Sequence, residues 1–194
     1  MRTSQSDIVI VGVGGQGVIL ISDVLGRAAV KAGLPVRGAE THGMAQRGGS
    51  VINHTRIGCS FSPMVAEGSA DVLLALEPAE ALRFGHYLAP GGVAIVNTER
   101  VLPVTVTTGV SEYPELESLF MPLRKVARVR AMNATLLARQ AGTAQAMNVV
   151  MLGALSRYIP IHEDLLLEAL REVVPPRYLE VNMKAFRLGK AEVQ

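Results

Sequence analysis

Apolar and polar positions along the chain alternate between two periods. Asp7 to Val11 (DIVIV) is a short, nearly unbroken apolar run that ends in glycines, which predicts a buried strand. Val18 to Ala32 then repeats apolar residues at helical spacing, with Asp23, Arg27 and Lys31 along one wet face. Gly33-Leu34-Pro35 stops that helix, and Val36 opens a second short strand. From Ser50 to Ile57 the pattern is two-fold, with Val51, Asn53, Thr55 and Ile57 on one side and Ile52, His54 and Arg56 on the other. This predicts a half-exposed strand rather than a central one. Asp71 to Leu76 (DVLLAL) is another buried run, and Pro78 opens a helix expected to reach Leu88. Pro90-Gly91-Gly92 turns the chain into Val93 to Val96, and Val101 to Thr107 is again rich in strand-favouring β-branched residues.

From Asn133 the pattern becomes helical: Thr135 to Gln140, Ala144 to Tyr158, Glu163 to Val173 and Pro176 to Leu188. Strand and helix alternating before that point are the signature of a parallel sheet covered on both faces. The expected fold is therefore α/β: a three-layer, mainly parallel, Rossmann-like sheet with a C-terminal helical group. No Pro-, Gly- or Ser-rich linker and no repeat divides residues 1–194, so one domain is expected. Its sheet core is placed at about 7–131 and its helical portion at 133–188, packed on that core.

Composition narrows the classes. The 194 residues are 49% hydrophobic and 19% charged, which is globular, and a net charge of +2 predicts neither a nucleic-acid nor a membrane partner. No apolar stretch approaches the roughly 20 residues of a membrane span, and no signal-peptide pattern precedes the first strand, so a cytoplasmic location is expected. Cys59 is the only cysteine, which excludes an internal disulfide and a thiolate set for zinc or an iron–sulfur cluster.

Between the first strand and helix lies Gly12-Val13-Gly14-Gly15-Gln16-Gly17, a match to G-x-G-x-x-G in the context that motif requires. Glycines there let the backbone turn sharply and approach a ligand, and the helix N-terminus offers unpaired N–H groups. Glu40 lies 23 residues beyond Gly17, where a dinucleotide-binding domain would place an acid on the ribose. An NAD(P)-dependent dehydrogenase is thus one reading, and Arg37 and Arg47 leave the choice of cofactor open. Against it stand the extra glycine and long amide of Gly15-Gln16, and the polar cluster that follows Glu40 at once.

That cluster, Thr41-His42-Gly43-Met44-Ala45-Gln46-Arg47-Gly48-Gly49-Ser50, contains no complete catalytic set, because no nucleophile with its base and orienting group is present. Arg47 beside paired glycines suits an anion or carboxylate. Elsewhere, Ser118 to His162 carries no acid but includes Arg124, Lys125, Arg128, Arg130, Arg139 and Arg157, a solvated basic face or a strip for an anionic partner. Asn148 falls on the same helix side as Met151 and Leu155 and would need a buried partner. Glu77 is placed as a first-turn acid favoured by the helix dipole.

Three motifs in order, GVGGQGV (Gly12 to Val18), ETHGMAQRGGSV (Glu40 to Val51) and SADVLLALEPAEALR (Ser69 to Arg83), resemble the gamma-type domain of the 2-oxoacid:ferredoxin oxidoreductases. IVNT (Ile95 to Thr98), NVVMLGAL (Asn148 to Leu155) and NMKAF (Asn182 to Phe186) extend the resemblance over about Asp7 to Leu188. HGMAQRGGSV with TVTTGVSEYP (Thr105 to Pro114) is most similar to the small subunit of the indolepyruvate branch. The resemblance implies oxidative decarboxylation of a 2-oxoacid, here indolepyruvate or another aryl-pyruvate, with electrons passing to ferredoxin and an acyl-coenzyme A released. It implies that thiamine diphosphate, magnesium and [4Fe-4S] clusters sit on a large partner subunit, and that this chain holds no cofactor alone, no metal and no independent activity. Coenzyme A or the partner would meet Gly12, Gly14, Gly15, Gln16, Gly17, Thr41, His42, Gly43, Met44, Gln46, Arg47, Gly48, Gly49 and Ser50. Catalytic residues on this chain are unassigned, ferredoxin is an indirect partner, and a homodimer of the isolated chain is left open. A docking-only module, with no small molecule at either segment, is the third reading.

Overall fold

The computed structural model describes residues 5–42 and 49–193, with the side chain of His42 outside the description. Its centre is a six-stranded sheet in the order β2-β3-β1-β4-β5-β6. The strands are β1 (Ser6–Val13), β2 (Val36–His42), β3 (Ser50–Ile57), β4 (Ala70–Ala75), β5 (Leu88–Asn97) and β6 (Arg128–Met132). β1, β4, β5 and β6 pair in parallel, whereas β3 runs antiparallel to both β1 and β2. The sheet is therefore mainly parallel with a single reversed strand.

The apolar runs are two-faced, as their unbroken character requires. Ile8 and Ile10 of β1, Val72 and Leu74 of β4, and Val93 and Ile95 of β5 enter one core, while Val9, Val11, Leu73, Ala75, Ala94 and Val96 enter the other. The first core is closed by α1 (Val18–Lys31), α5 (Ala134–Ala141), α6 (Met147–Leu155), α7 (Glu163–Val173) and α8 (Leu179–Glu192). The second is closed by α2 (Pro78–Arg83) and α4 (Leu116–Arg124). The C-terminal helices thus lie on the sheet, sharing one core with it. The wet stripe of α1 is bound to α7: Lys31 pairs with Glu168 and Glu172, and Arg27 with Asp23 and Glu172.

α6 and α8 approach most closely at two glycines. A Cβ on Gly153 would stand 2.0 Å from the carbonyl oxygen of Phe186, and one on Gly189 would stand 1.8 Å from that of Val150. No side chain fits there, so the backbones themselves are in contact.

Three segments differ from the sequence expectation. β3 is an inner strand, because β2 pairs along its far edge; Asn53, His54 and Thr55 are all buried. Its polar side chains are compatible with burial because they find partners: Thr55 donates to Asn53 at 2.8 Å, and His54 Nδ1 accepts from the Val65 N–H at 3.3 Å. The β-branched segment from Val101 does not join the sheet. β6 already occupies that flank, and Pro103 leads into a single helical turn, α3 (Val104–Thr107). Finally, the helix begun at Pro78 ends at Arg83, a 3-10 turn covers Gly85–Tyr87, and Leu88 already belongs to β5.

Candidate functional site

The carboxyl ends of β1, β4, β5 and β6 share one rim of the sheet, together with the end of β2 and the beginning of β3. The chain leaves β1 for β2 on one side and enters β4 on the other, so the crevice between β1 and β4 is the topological switch point, where open α/β sheets receive ligands.

The glycine turn stands on that crevice and is bound from within. Gly15 and Gly17 have φ of 99° and 88°, the left-handed region that glycine alone enters freely. The Gln16 side chain folds back into the turn. Its Oε1 accepts from the Val13 N–H at 2.7 Å and its Nε2 donates to the Leu76 carbonyl at 3.2 Å, tying the end of β1 to the end of β4. Gly12 is needed under this amide, since a Cβ there would lie 2.8 Å from Gln16 Oε1. Gly17 is needed against α6, since a Cβ would lie 2.2 Å from Asn148 Nδ2. Asn148 is buried, and its partner is the Gly17 carbonyl at 3.5 Å, which answers the need noted for it in the sequence.

The polar segment meets the same place. Gly14 N–H donates to the Gly49 carbonyl at 2.8 Å, and Val13 is the register partner of Ser50. Thr41 and His42 close β2 opposite Ile52 and Val51, so both described ends of the polar segment reach the rim, and its Gly49 end lies against the glycine turn. Gly43, Met44, Gln46, Arg47 and Gly48 lie outside the described residues.

Behind the rim is a polar lattice that the sequence reading largely missed. Asn97, fully buried at the end of β5, donates from Nδ2 to the Leu76 carbonyl at 3.1 Å and accepts the Ala134 N–H on Oδ1 at 3.0 Å. Leu76 thereby receives both Gln16 and Asn97, so three strand ends are stitched through one carbonyl. Glu77 caps α2, accepting from the N–H groups of Ala79 and Glu80 at 2.7 and 3.1 Å, as a carboxylate at a helix start should. The same carboxylate receives the Val101 N–H and the Tyr113 hydroxyl. Burial, and then the hydrogen bond to Glu77, hold the Tyr113 hydroxyl well above its usual range, so it keeps the proton it donates to Glu77 while its oxygen accepts the Ala79 N–H at 3.1 Å. Ser50 donates to Glu80, whose buried carboxylate also faces Arg83 at 3.4 Å. Burial pushes the Glu80 carboxyl above its ordinary value; Ser50 and Arg83 pull it back, and Glu77 adds to the rise.

Between Val101 and Tyr113, both fixed to Glu77, the chain runs across the rim with its side chains outward. Val104 is 76% exposed, Val110 78% and Leu102 50%, and residues 101–111 carry no charge. Leu136, at the start of α5, is also exposed. The rim therefore has a polar half, at the glycine turn, Thr41, Gly49 and Ser50, and an apolar half beyond β5. A separate trough of about 870 Å³ lies along the sheet between α1 and β2–β3, walled by Ile19, Val30, Gly38 and Asn53. It opens over the salt-bridged face of α1.

The basic residues gather elsewhere. Arg128 and Arg130 are exposed on β6, an outer strand, where charge discourages further pairing, and Arg124 is matched by Glu117. Among the described residues no helix is long and apolar enough to cross a membrane, and no three His, Cys, Asp or Glu side chains gather as a metal set.

The chain is similar to known proteins over nearly its whole length. The chain is 47% identical over 186 residues to the indolepyruvate oxidoreductase subunit IorB of Archaeoglobus fulgidus, an alignment covering 94% of this chain and 92% of that protein. Its fold matches the gamma subunit of a keto/oxoacid ferredoxin oxidoreductase from Geobacter sulfurreducens, with a TM-score of 0.72, 24% identity and 97% and 98% of the two chains covered. It also matches part of the 2-oxoglutarate:ferredoxin oxidoreductase of Magnetococcus marinus, solved with 2-oxoglutarate, coenzyme A and succinyl-CoA. There the TM-score is 0.75 and the identity 23%, over 99% of this chain but 31% of that one. Residues 7–192 match the family model described as pyruvate ferredoxin/flavodoxin oxidoreductase, and the chain belongs to that family.

Proposed function

We propose that this chain is the small subunit of a 2-oxoacid:ferredoxin oxidoreductase whose substrate is indolepyruvate or a related aryl-pyruvate, and that its rim completes a site on a larger subunit. The observation that carries the proposal is the hydrogen bond from Gly14 to Gly49, which sets the glycine turn and the polar segment beside each other. The similarity to indolepyruvate oxidoreductase subunits supports the substrate.

The rim favours this role over that of a free-standing dehydrogenase. A dinucleotide's pyrophosphate needs the turn's N–H groups, but Val13 N–H is occupied by Gln16 and Gly14 N–H by Gly49. The crevice is bridged by an amide of the chain itself. Coenzyme A would therefore lie on the outer side of the turn, along Gly15, Gly17, Thr41, Gly49 and Ser50, not within the crevice. Gly17 caps α1 without a side chain and no acid stands in the first turn, so an anion meets no carboxylate of α1 there. Gln16 acts as the brace that holds this surface. Thiamine diphosphate and the clusters, when bound to the larger subunit, supply decarboxylation and electron transfer. This chain binds and orients. The uncharged apolar half of the rim suits protein contact, so part of the surface docks the larger subunit without touching a small molecule.

The test is co-purification of the chain with its large subunit, followed by thiamine, iron and activity assays. Indolepyruvate oxidation should appear only in the complex, with the turn and residues 41–50 protected from hydrogen exchange by coenzyme A. Oxidation of a 2-oxoacid by the isolated chain, or quenching of NADH fluorescence by it, would overturn the proposal.

A further inference from the structure

Glu80 is an anomaly in the second core. It sits in the first turn of α2, where an exposed acid would gain the helix-dipole benefit with no desolvation, yet it is only 5% exposed on a helix that closes the second core. The carboxylate crosses from α2 to Ser50, the first residue of β3. Ser50 is joined to Gly49, whose carbonyl holds Gly14, and it stands opposite Val13, which holds Gln16. A line of contacts thus runs from a buried acid to the outer turn.

We infer that Glu80 is a positioning residue: through Ser50 it fixes the point at which the chain enters β3 and so keeps Gly49 against the glycine turn. The inference rests on the reading of the rim as the contact surface for the larger subunit. Glu80 is itself inaccessible to that subunit, so its effect on assembly must pass through Ser50. Burial makes the charged form costly, a cost that a leucine would not carry. What the acid supplies that leucine does not is an acceptor aimed at the Ser50 hydroxyl, its other oxygen facing the largely exposed Arg83 at 3.4 Å.

The full-length chain carrying Ser50→Ala, Glu80→Leu or Glu80→Gln tests this. Residue-resolved amide exchange should show Gly14 N–H exchanging about tenfold faster in Ser50→Ala and Glu80→Leu, the effect of losing one charge-assisted hydrogen bond. Leu76 N–H, bonded to Val11 in the core, is the internal control and should not change in Ser50→Ala. Glu80→Gln keeps an acceptor oxygen and should restore near-native exchange. Adding Glu80→Leu to Ser50→Ala should produce no further increase. Affinity for the purified large subunit should fall in the same order. Unchanged Gly14 exchange in Ser50→Ala overturns the inference, as does faster exchange with undiminished affinity. Should Glu80→Leu fail to fold, Ser50→Ala, which removes only a hydroxyl, still decides. If the unmodified chain does not bind the large subunit, the functional proposal fails, and the exchange pattern reports on the Glu80 contact independently.

Discussion

Replacing Gly153 with alanine sets two opposite effects against each other. In a helix interior, glycine to alanine gains about 1 kcal/mol of propensity. At Gly153, however, the new Cβ would stand 2.0 Å from the Phe186 oxygen, 2.8 Å from its carbonyl carbon and 3.1 Å from the Lys190 nitrogen. Ordinary non-bonded carbon contacts begin near 3.5 Å, so α6 and α8 must part by more than about 1 Å. Both obstacles are backbone, so no rotamer change relieves them. The displaced surface includes Val149, Val150 and Phe186, each fully buried. Overpacking of this kind costs about 3 kcal/mol or more, for a net loss of about 2–4 kcal/mol after the propensity gain. In a chain of this length that is a fall in melting temperature of roughly 5–12 °C. Gly26 in α1 supplies the control, because a Cβ there meets nothing within 4 Å. Gly26→Ala should stabilise by about 0.5–1 kcal/mol. Urea denaturation of both variants, followed by far-UV circular dichroism, measures the pair. A Gly153→Ala chain as stable as the native one would refute the claim that the two helices meet backbone to backbone.

His54 gives the chain an acid sensitivity with a definite sign. Burial holds its imidazole below the usual value, and Nδ1 faces the Val65 N–H, so protonation would set donor against donor. The unfolded chain takes up the proton first, so this contribution is complete above about pH 6.5 and is lost as the pH falls below it, at no more than about 1.4 kcal/mol per pH unit. The raised Glu80 carboxyl acts in the other direction: its contribution is present in acid and is lost as the pH rises through its folded value. The difference in melting temperature between native and His54→Leu chains across pH 5–7.5 isolates the histidine; a pH-independent difference would exclude it. Gln16→Ala removes the acceptor of the Val13 N–H and leaves the Leu76 carbonyl to Asn97 alone, and should cost about 1–3 kcal/mol, so a variant with native stability in urea would show that the amide is not a brace. Tyr113→Phe removes the hydroxyl that fixes one end of residues 101–113 to Glu77 and should speed proteolytic cleavage within that segment severalfold. Equal cleavage rates would mean that the segment is held by other contacts.

Much of the architecture was legible because the signals were local. The two-faced runs of β1 and β4, the wet stripe of α1 and the amphipathic span of α7 each predict their element with little error at the ends. What sequence could not show was set by neighbours. β3 alternates like an exposed strand, but β2 pairs along its far edge and α1 packs against it, and Asn53 and Thr55 are buried. Val104 to Thr107 has β-branched side chains but no open strand beside it, so backbone partners decide against its propensity. At the candidate site, the adjacency of the two motifs followed from their both lying at strand ends on one edge. The inward turn of Gln16 did not, because a glutamine among glycines carries no mark of its direction. Glu80 and Ser50 are thirty positions apart, and no spacing rule joins them.

The reversed strand has a consequence for how such a chain can vary. A parallel β3 would have needed a crossover of a dozen or more residues and would have begun at the opposite end of the sheet. Running backwards, β3 lets a short link between residues 42 and 50 leave and return at one end, beside the turns after β1 and β4. Lengthening, trimming or recoding that link leaves every helix in place. A change confined to that link therefore leaves the pairing of β3 with β1 and β2 as it is.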